Sequence, residues 1–126
     1  MEADLQDGRR ETVTPRLLCA EGEIVEGAGR GFVFGADTTR EAVFVIRWQG
    51  ILHGYRNECP HIGAPIDWPE NKFFDNAGEK LMCATHGAVF RPEDGYCIAG
   101  PCARRSIEPI EISVEDGNIF WLDEYG

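Results

Sequence analysis

Glycine and proline interrupt this chain so regularly that a long helix has nowhere to form. Fifteen glycines and seven prolines are spread over the 126 residues. No window of about eleven residues or more holds an unbroken apolar stripe at helical period. What lies between the interruptions is short and strand-like. Residues 31–35 and 41–47 are rich in β-branched and aromatic side chains and are bounded by Gly, Asp and Thr, the pattern of short strands. Residues 16–20 could open another. Gln49-Gly50 joins the second run to residues 51–55 as a hairpin turn. Towards the other end, residues 107–114 and 118–122 flank Glu115-Asp116-Gly117. An Asp-Gly step between two apolar runs is the strongest hairpin signal in the sequence. The expected fold class is all-β, an antiparallel sandwich or small barrel.

The length fits one domain, with no room for a catalytic domain beside a separate carrier domain. Residues 1–14 are charged, turn-prone and without periodicity, and read as a tail; residues 15–126 read as a single domain. Twelve basic against twenty-two acidic residues give a net charge of −10. Such a chain is repelled by phosphate backbones and anionic lipid, so neither nucleic acid nor a membrane surface is expected as a partner. The most apolar run, residues 42–46, is closed by Arg47 and is far too short to span a bilayer. The first fifteen residues are polar and acidic, without the apolar core of a signal peptide, so the expected compartment is the cytoplasm. Five cysteines are an odd number for a disulfide scaffold. In a reducing compartment, close cysteines more often bind metal or do redox chemistry.

Residues 57–105 differ from their flanks: dense in Gly, Pro, Cys and His, and poor in strand pattern. They read as a loop-built subregion carried by the surrounding strands. It contains two mixed pairs, Cys59-Pro60-His61 and Cys83-Ala84-Thr85-His86. The bare spacing is only suggestive, but the surroundings sharpen it. The first pair continues into Ile62-Gly63-Ala64-Pro65, the second into Gly87-Ala88-Val89-Phe90, and Gly100-Pro101 follows downstream. Each pair offers one soft thiolate and one imidazole, so two loops can bridge a binuclear iron centre held at its two ends. A structural zinc ion is the alternative. Zinc sites more often pair Cys with Cys and His with His, so the mixed pairs favour iron–sulfur.

This arrangement resembles the Rieske-type 2Fe–2S family, whose signature is C-x-H, a spacer, then C-x-x-H. The resemblance covers about residues 16–122, and its specificity lies in 59–63, 83–90 and 95–101. It implies a 2Fe–2S cluster with Cys59 and Cys83 on the inner iron and His61 and His86 on the outer one. Two thiolates in place of four leave the oxidised cluster with a formal charge of about zero instead of about −2, which favours uptake of an electron. Gly63 and Gly87 permit tight turns whose N–H groups can point at the sulfurs. A Gly-Pro step such as Gly100-Pro101 forms, in this family, a third loop that shields the cluster from water.

High-potential members of the family carry an extra cysteine in each loop, a serine and a tyrosine after the second histidine, and a membrane anchor. Here the corresponding positions are Ala64, Thr85, Ala88 and Phe90, and no anchor is seen. Fewer donors aimed at the sulfurs stabilise the reduced state less and lower the potential. The resemblance is therefore to the soluble, low-potential Rieske ferredoxins that serve oxygenases. It implies an electron carrier that is not itself an enzyme, with a flavoprotein reductase and a terminal oxygenase as partners. The small subunit of an assimilatory nitrite reductase is an alternative with the same fold. An oxygenase would need a further two-histidine, one-carboxylate iron site, and only His53 would remain for it.

The other candidates have bland readings. Cys97 and Cys102 could meet as a disulfide, but thiols are the default in a reducing compartment. Cys19 reads as a small core residue, His53 as an ordinary strand histidine, and Trp48, Trp121 and the phenylalanines as core. The long spacer between His61 and Cys83 contains residues 67–78, which look like an added hairpin, either a partner surface or a plain excursion.

Overall fold

The computed structural model describes residues 14–35, 41–60, 65–67, 71–75, 77–83, 87–101 and 104–123. Among them the structure is built of strands, with one 3-10 turn at Glu21–Glu23. No helix among the described residues is long and apolar enough to cross a membrane. The chain divides into two compact units, one made of Met1–Glu23 with Ile110–Gly126, the other of Ile24–Pro109.

In the first unit, β1 (Thr14–Ala20), β10 (Asn118–Asp123) and β9 (Ile112–Glu115) form an antiparallel sheet in the order β1-β10-β9. The β9–β10 hairpin turns at Asp116 and Gly117, both at positive φ (53° and 79°). That is the backbone a two-residue turn needs to match strand twist, and Asp-Gly supplies it cheaply. Cys19, Ile119 and Trp121 are buried, and the Arg16 guanidinium lies 5.0 Å from the Trp121 ring centroid. The sequence suggested one strand over residues 107–114. The structure instead breaks it into β8 (Pro109–Ile110), which carries the chain from one unit to the other, and β9. Pro109 has no N–H for a ladder, so a long central strand there is disfavoured.

In the second unit, β2 (Gly29–Phe34), β3 (Glu41–Trp48) and β4 (Ile51–Arg56) form a meander with β3 in the middle. Gln49 and Gly50 make the β3–β4 turn at φ 52° and 79°, and the Glu26 carboxylate accepts both of their N–H groups at 2.6 and 2.9 Å. Four consecutive β3 residues, Val43, Phe44, Val45 and Ile46, are closed to solvent. The strand is thus buried on both faces, which explains an apolar run without alternation. Three short strands, β5 (Leu81–Met82), β6 (Val89–Phe90) and β7 (Cys97–Ala99), form a second antiparallel sheet in this unit.

The core of the second unit joins Phe44, Ile46 and Tyr55 from the meander with Ile66, Phe73, Phe74, Leu81, Phe90 and Ile107. Phe73 stacks on Phe44 with centroids 4.2 Å apart, and Phe74 faces Trp48 at 5.8 Å. The spacer is therefore not a plain surface excursion. Its two phenylalanines are core, and a hairpin forms with arms at 73–75 and 80–82, held by Asp75 N–H to Lys80 O and Met82 N–H to Phe73 O. The Tyr55 hydroxyl donates to the Pro92 carbonyl at 2.7 Å, giving its buried polar tip a partner.

Candidate metal centre

Both cysteines of the mixed pairs leave the ends of strands and turn inward. Cys59 follows β4 after Asn57 and Glu58 and is 1% exposed; Cys83 follows β5 directly and is fully buried. The two belong to one core cluster. His61 and His86 lie outside the described residues, as do Ile62, Gly63 and Ala64.

The second loop is closed at its base. Cys83 N–H donates to Ala88 O at 2.8 Å and Gly87 N–H to Cys83 O at 2.9 Å. Gly87 sits at φ 72°, in the left-handed region that glycine enters without a Cβ penalty. The third loop rests directly on this base. A Cβ built on Gly100 would lie 2.7 Å from the Ala88 Cα, and its φ is +103°, so glycine is required there twice over. The third loop folds back through Cys97 N–H to Arg105 O (2.7 Å) and Arg104 N–H to Cys97 O (3.1 Å). The Arg105 guanidinium then reaches the first loop and donates to the Pro60 carbonyl at 3.1 Å. The three loops are thereby tied together, second to third and third to first.

The first loop has its own anchor, which the sequence did not reveal. Asn57 is buried, and its Oδ1 accepts the Ile66 N–H at 2.7 Å while its Nδ2 donates to Asp67 at 3.0 Å. Asp67 also accepts the Asn71 N–H, and the Asn71 side chain accepts the Gly31 N–H, both at 2.8 Å. The only signal was an asparagine just ahead of Cys59. Arg105 likewise gave no sign of its link to Pro60.

The remaining candidates fall as follows. Cys97 is 1% exposed in the same core and is a thiol whose Sγ donates to Ala99 O at 3.2 Å; Cys102 lies outside the described residues. Cys19 is a buried residue of the first unit. His53 is half-buried on β4 beside Tyr55. Burial pulls its pKa below the ordinary value, and the charges of Glu93 and Asp94 oppose that shift only in part.

The family profile described as Rieske [2Fe-2S] domain matches residues 14–120. This chain belongs to the Rieske family. The fold agrees with solved structures. A chain in a complex of reduced oxygenase and oxidized ferredoxin of carbazole 1,9a-dioxygenase superposes with a TM-score of 0.68 at 19% identity, covering 89% of this chain and 95% of that one. The ferredoxin of carbazole 1,9a-dioxygenase from Nocardioides aromaticivorans IC177 gives 0.64 at 21%, covering 86% and 96%. The terminal oxygenase of carbazole 1,9a-dioxygenase from Novosphingobium sp. KA1 gives 0.67 at 19%, and there the matched region is 86% of this chain but 29% of that one. No curated protein matches the sequence.

A Rieske domain implies a 2Fe–2S cluster, and the residues present fit one. Two thiols from separate loops lie buried in one core cluster, and each loop carries a histidine shortly after its cysteine. Ala88 and Phe90, both fully buried, add no hydroxyl to this core.

Proposed function

We propose that this chain is a Rieske ferredoxin, an electron carrier and not an enzyme, passing single electrons from an NAD(P)H-dependent flavin reductase to a terminal oxygenase. In this reading Cys59 and Cys83 hold the inner iron and His61 and His86 the outer iron. The observation that carries it is the joint burial of Cys59 and Cys83 in one core, each opening a loop that bears a histidine. A bound 2Fe–2S cluster supplies reversible one-electron transfer and no open coordination position for a substrate.

The chain's own residues supply the rest. Gly100 packs the third loop onto Ala88 and keeps water from the thiol end, and Arg105 holds the first loop to the third. Pro65, Ile98 and Pro101 are exposed beside these loops and offer apolar area for a partner. The oxygenase partner is supported by the structural relatives. The matched region spans 96% of a carbazole dioxygenase ferredoxin but 29% of a terminal oxygenase. Ala88 and Phe90, where high-potential members carry hydroxylated residues, support a potential in the lower part of the range of about −150 to +300 mV found for Rieske centres.

Stopped-flow mixing with a reduced flavin reductase, then with a terminal oxygenase, tests this reading. The expected result is one-electron bleaching and recovery, with encounter faster at low ionic strength for basic partners. An iron-loaded protein that accepts no electron from any flavoprotein donor would overturn it.

A further inference from the structure

We infer that Asn57 is a positioning residue for the loop that begins at Cys59, and that Asp67 and Asn71 extend its hold to β2. The inference rests on the ligand reading above. Among the described residues, Asn57 is the one amide or charged side chain in the buried set. Its backbone N–H donates to Ala42 O at 2.8 Å, so the residue is fixed against β3 before the loop starts. Its Oδ1 takes the Ile66 N–H at 2.7 Å, at the far end of the same loop. One side chain therefore closes the neck of the segment that contains Cys59 and His61.

The chemistry of each partner fixes the orientation of the amide. A backbone N–H only donates, and a carboxylate only accepts. Oδ1 must therefore face Ile66, and Nδ2 must face Asp67. From Asp67 the chain of bonds runs through the Asn71 N–H and the Asn71 Oδ1 to the Gly31 N–H of β2. With Arg105 on Pro60, the loop is held near its start, at Pro60, and at its end, at Ile66. Such outer partners orient ligands and tune the metal they hold.

The replacement Asn57→Asp keeps size and the acceptor for Ile66 but sets a carboxylate against the Asp67 carboxylate. Asn71→Ala cuts the outer end at an exposed residue and leaves Asn57 untouched. Ile119→Val, in the other unit, serves as a control that lowers stability alone. Purified natural protein and variants are compared by iron release to a ferrous chelator, by EPR g values of the reduced form and by melting temperature. We expect Asn57→Asp to release iron about tenfold faster with shifted g values. Asn71→Ala should change both in the same direction but less, and Ile119→Val should change neither. The inference is overturned if g values stay unchanged and release stays within about twofold, or if Ile119→Val reproduces the effects. If Asn57→Asp yields no folded protein, Asn71→Ala decides alone, by shifting the g values or leaving them unchanged. A natural protein without any 2Fe–2S signal would instead overturn the ligand reading itself.

Discussion

Gly100 is the residue at which two loops of the centre meet with no atom to spare. Its φ of +103° and the 2.7 Å approach of a would-be Cβ to the Ala88 Cα act together. Gly100→Ala must strain the backbone or push the third loop away from the second, at a cost of about 1–3 kcal/mol. Chemical denaturation should show that loss, with faster bleaching of the visible chromophore in air; an unchanged unfolding midpoint would contradict the packing described. Tyr55 shows a related economy. Its ring packs under Gly95, where a Cβ would come within 2.9 Å. Burial first, then the negative charges of Asp94 and Glu93, raise its phenol pKa. The hydroxyl thus stays protonated and donates to Pro92 over the working pH range.

At the scale of elements, the second unit depends on aromatic contacts between the meander and the spacer. Phe73 is 1% exposed and stacks on Phe44, so Phe73→Ala removes a large side chain from a closed core. Its expected cost is about 3–5 kcal/mol, read as a lower denaturation midpoint; a loss under about 1 kcal/mol would show that the spacer is peripheral. The sequence made the local hairpins legible, because Gln49-Gly50 and Asp116-Gly117 encode their turns in adjacent residues. The mixed Cys and His pairs were legible for the same reason: each is a contiguous signal. The pairing of β1 with β10, joining residues as distant as Thr14 and Asp123, has no such signature. Neither has the Asn57–Asp67–Asn71 chain, whose bonds connect loops without any periodic pattern. The spacer read as a surface hairpin because polar and acidic residues dominate it, although its phenylalanines read as core. The burial of Phe73 and Phe74 bears out the second reading and shows that tertiary packing draws the segment inward.

Across the whole molecule, the net charge of −10 is unevenly divided. Segments 1–23 and 110–126 hold eleven acidic and three basic residues, whereas 24–109 holds eleven and nine. The unit with the candidate centre is nearly balanced. In the proposed reading the acidity would act on partners through the long-range field, and contacts beside the loops would rest on apolar residues such as Ile98, 44% exposed. The central claim is that Cys59, His61, Cys83 and His86 hold a 2Fe–2S cluster. Its most direct test is EPR of the dithionite-reduced protein, with metal analysis, for the natural chain and for His86→Cys. The natural chain should hold two irons and give a rhombic Rieske-type signal. His86→Cys should lose that signal or convert it to one with more thiolate character. A colourless natural protein holding zinc, or a His86→Cys variant with an unchanged signal, would contradict the account.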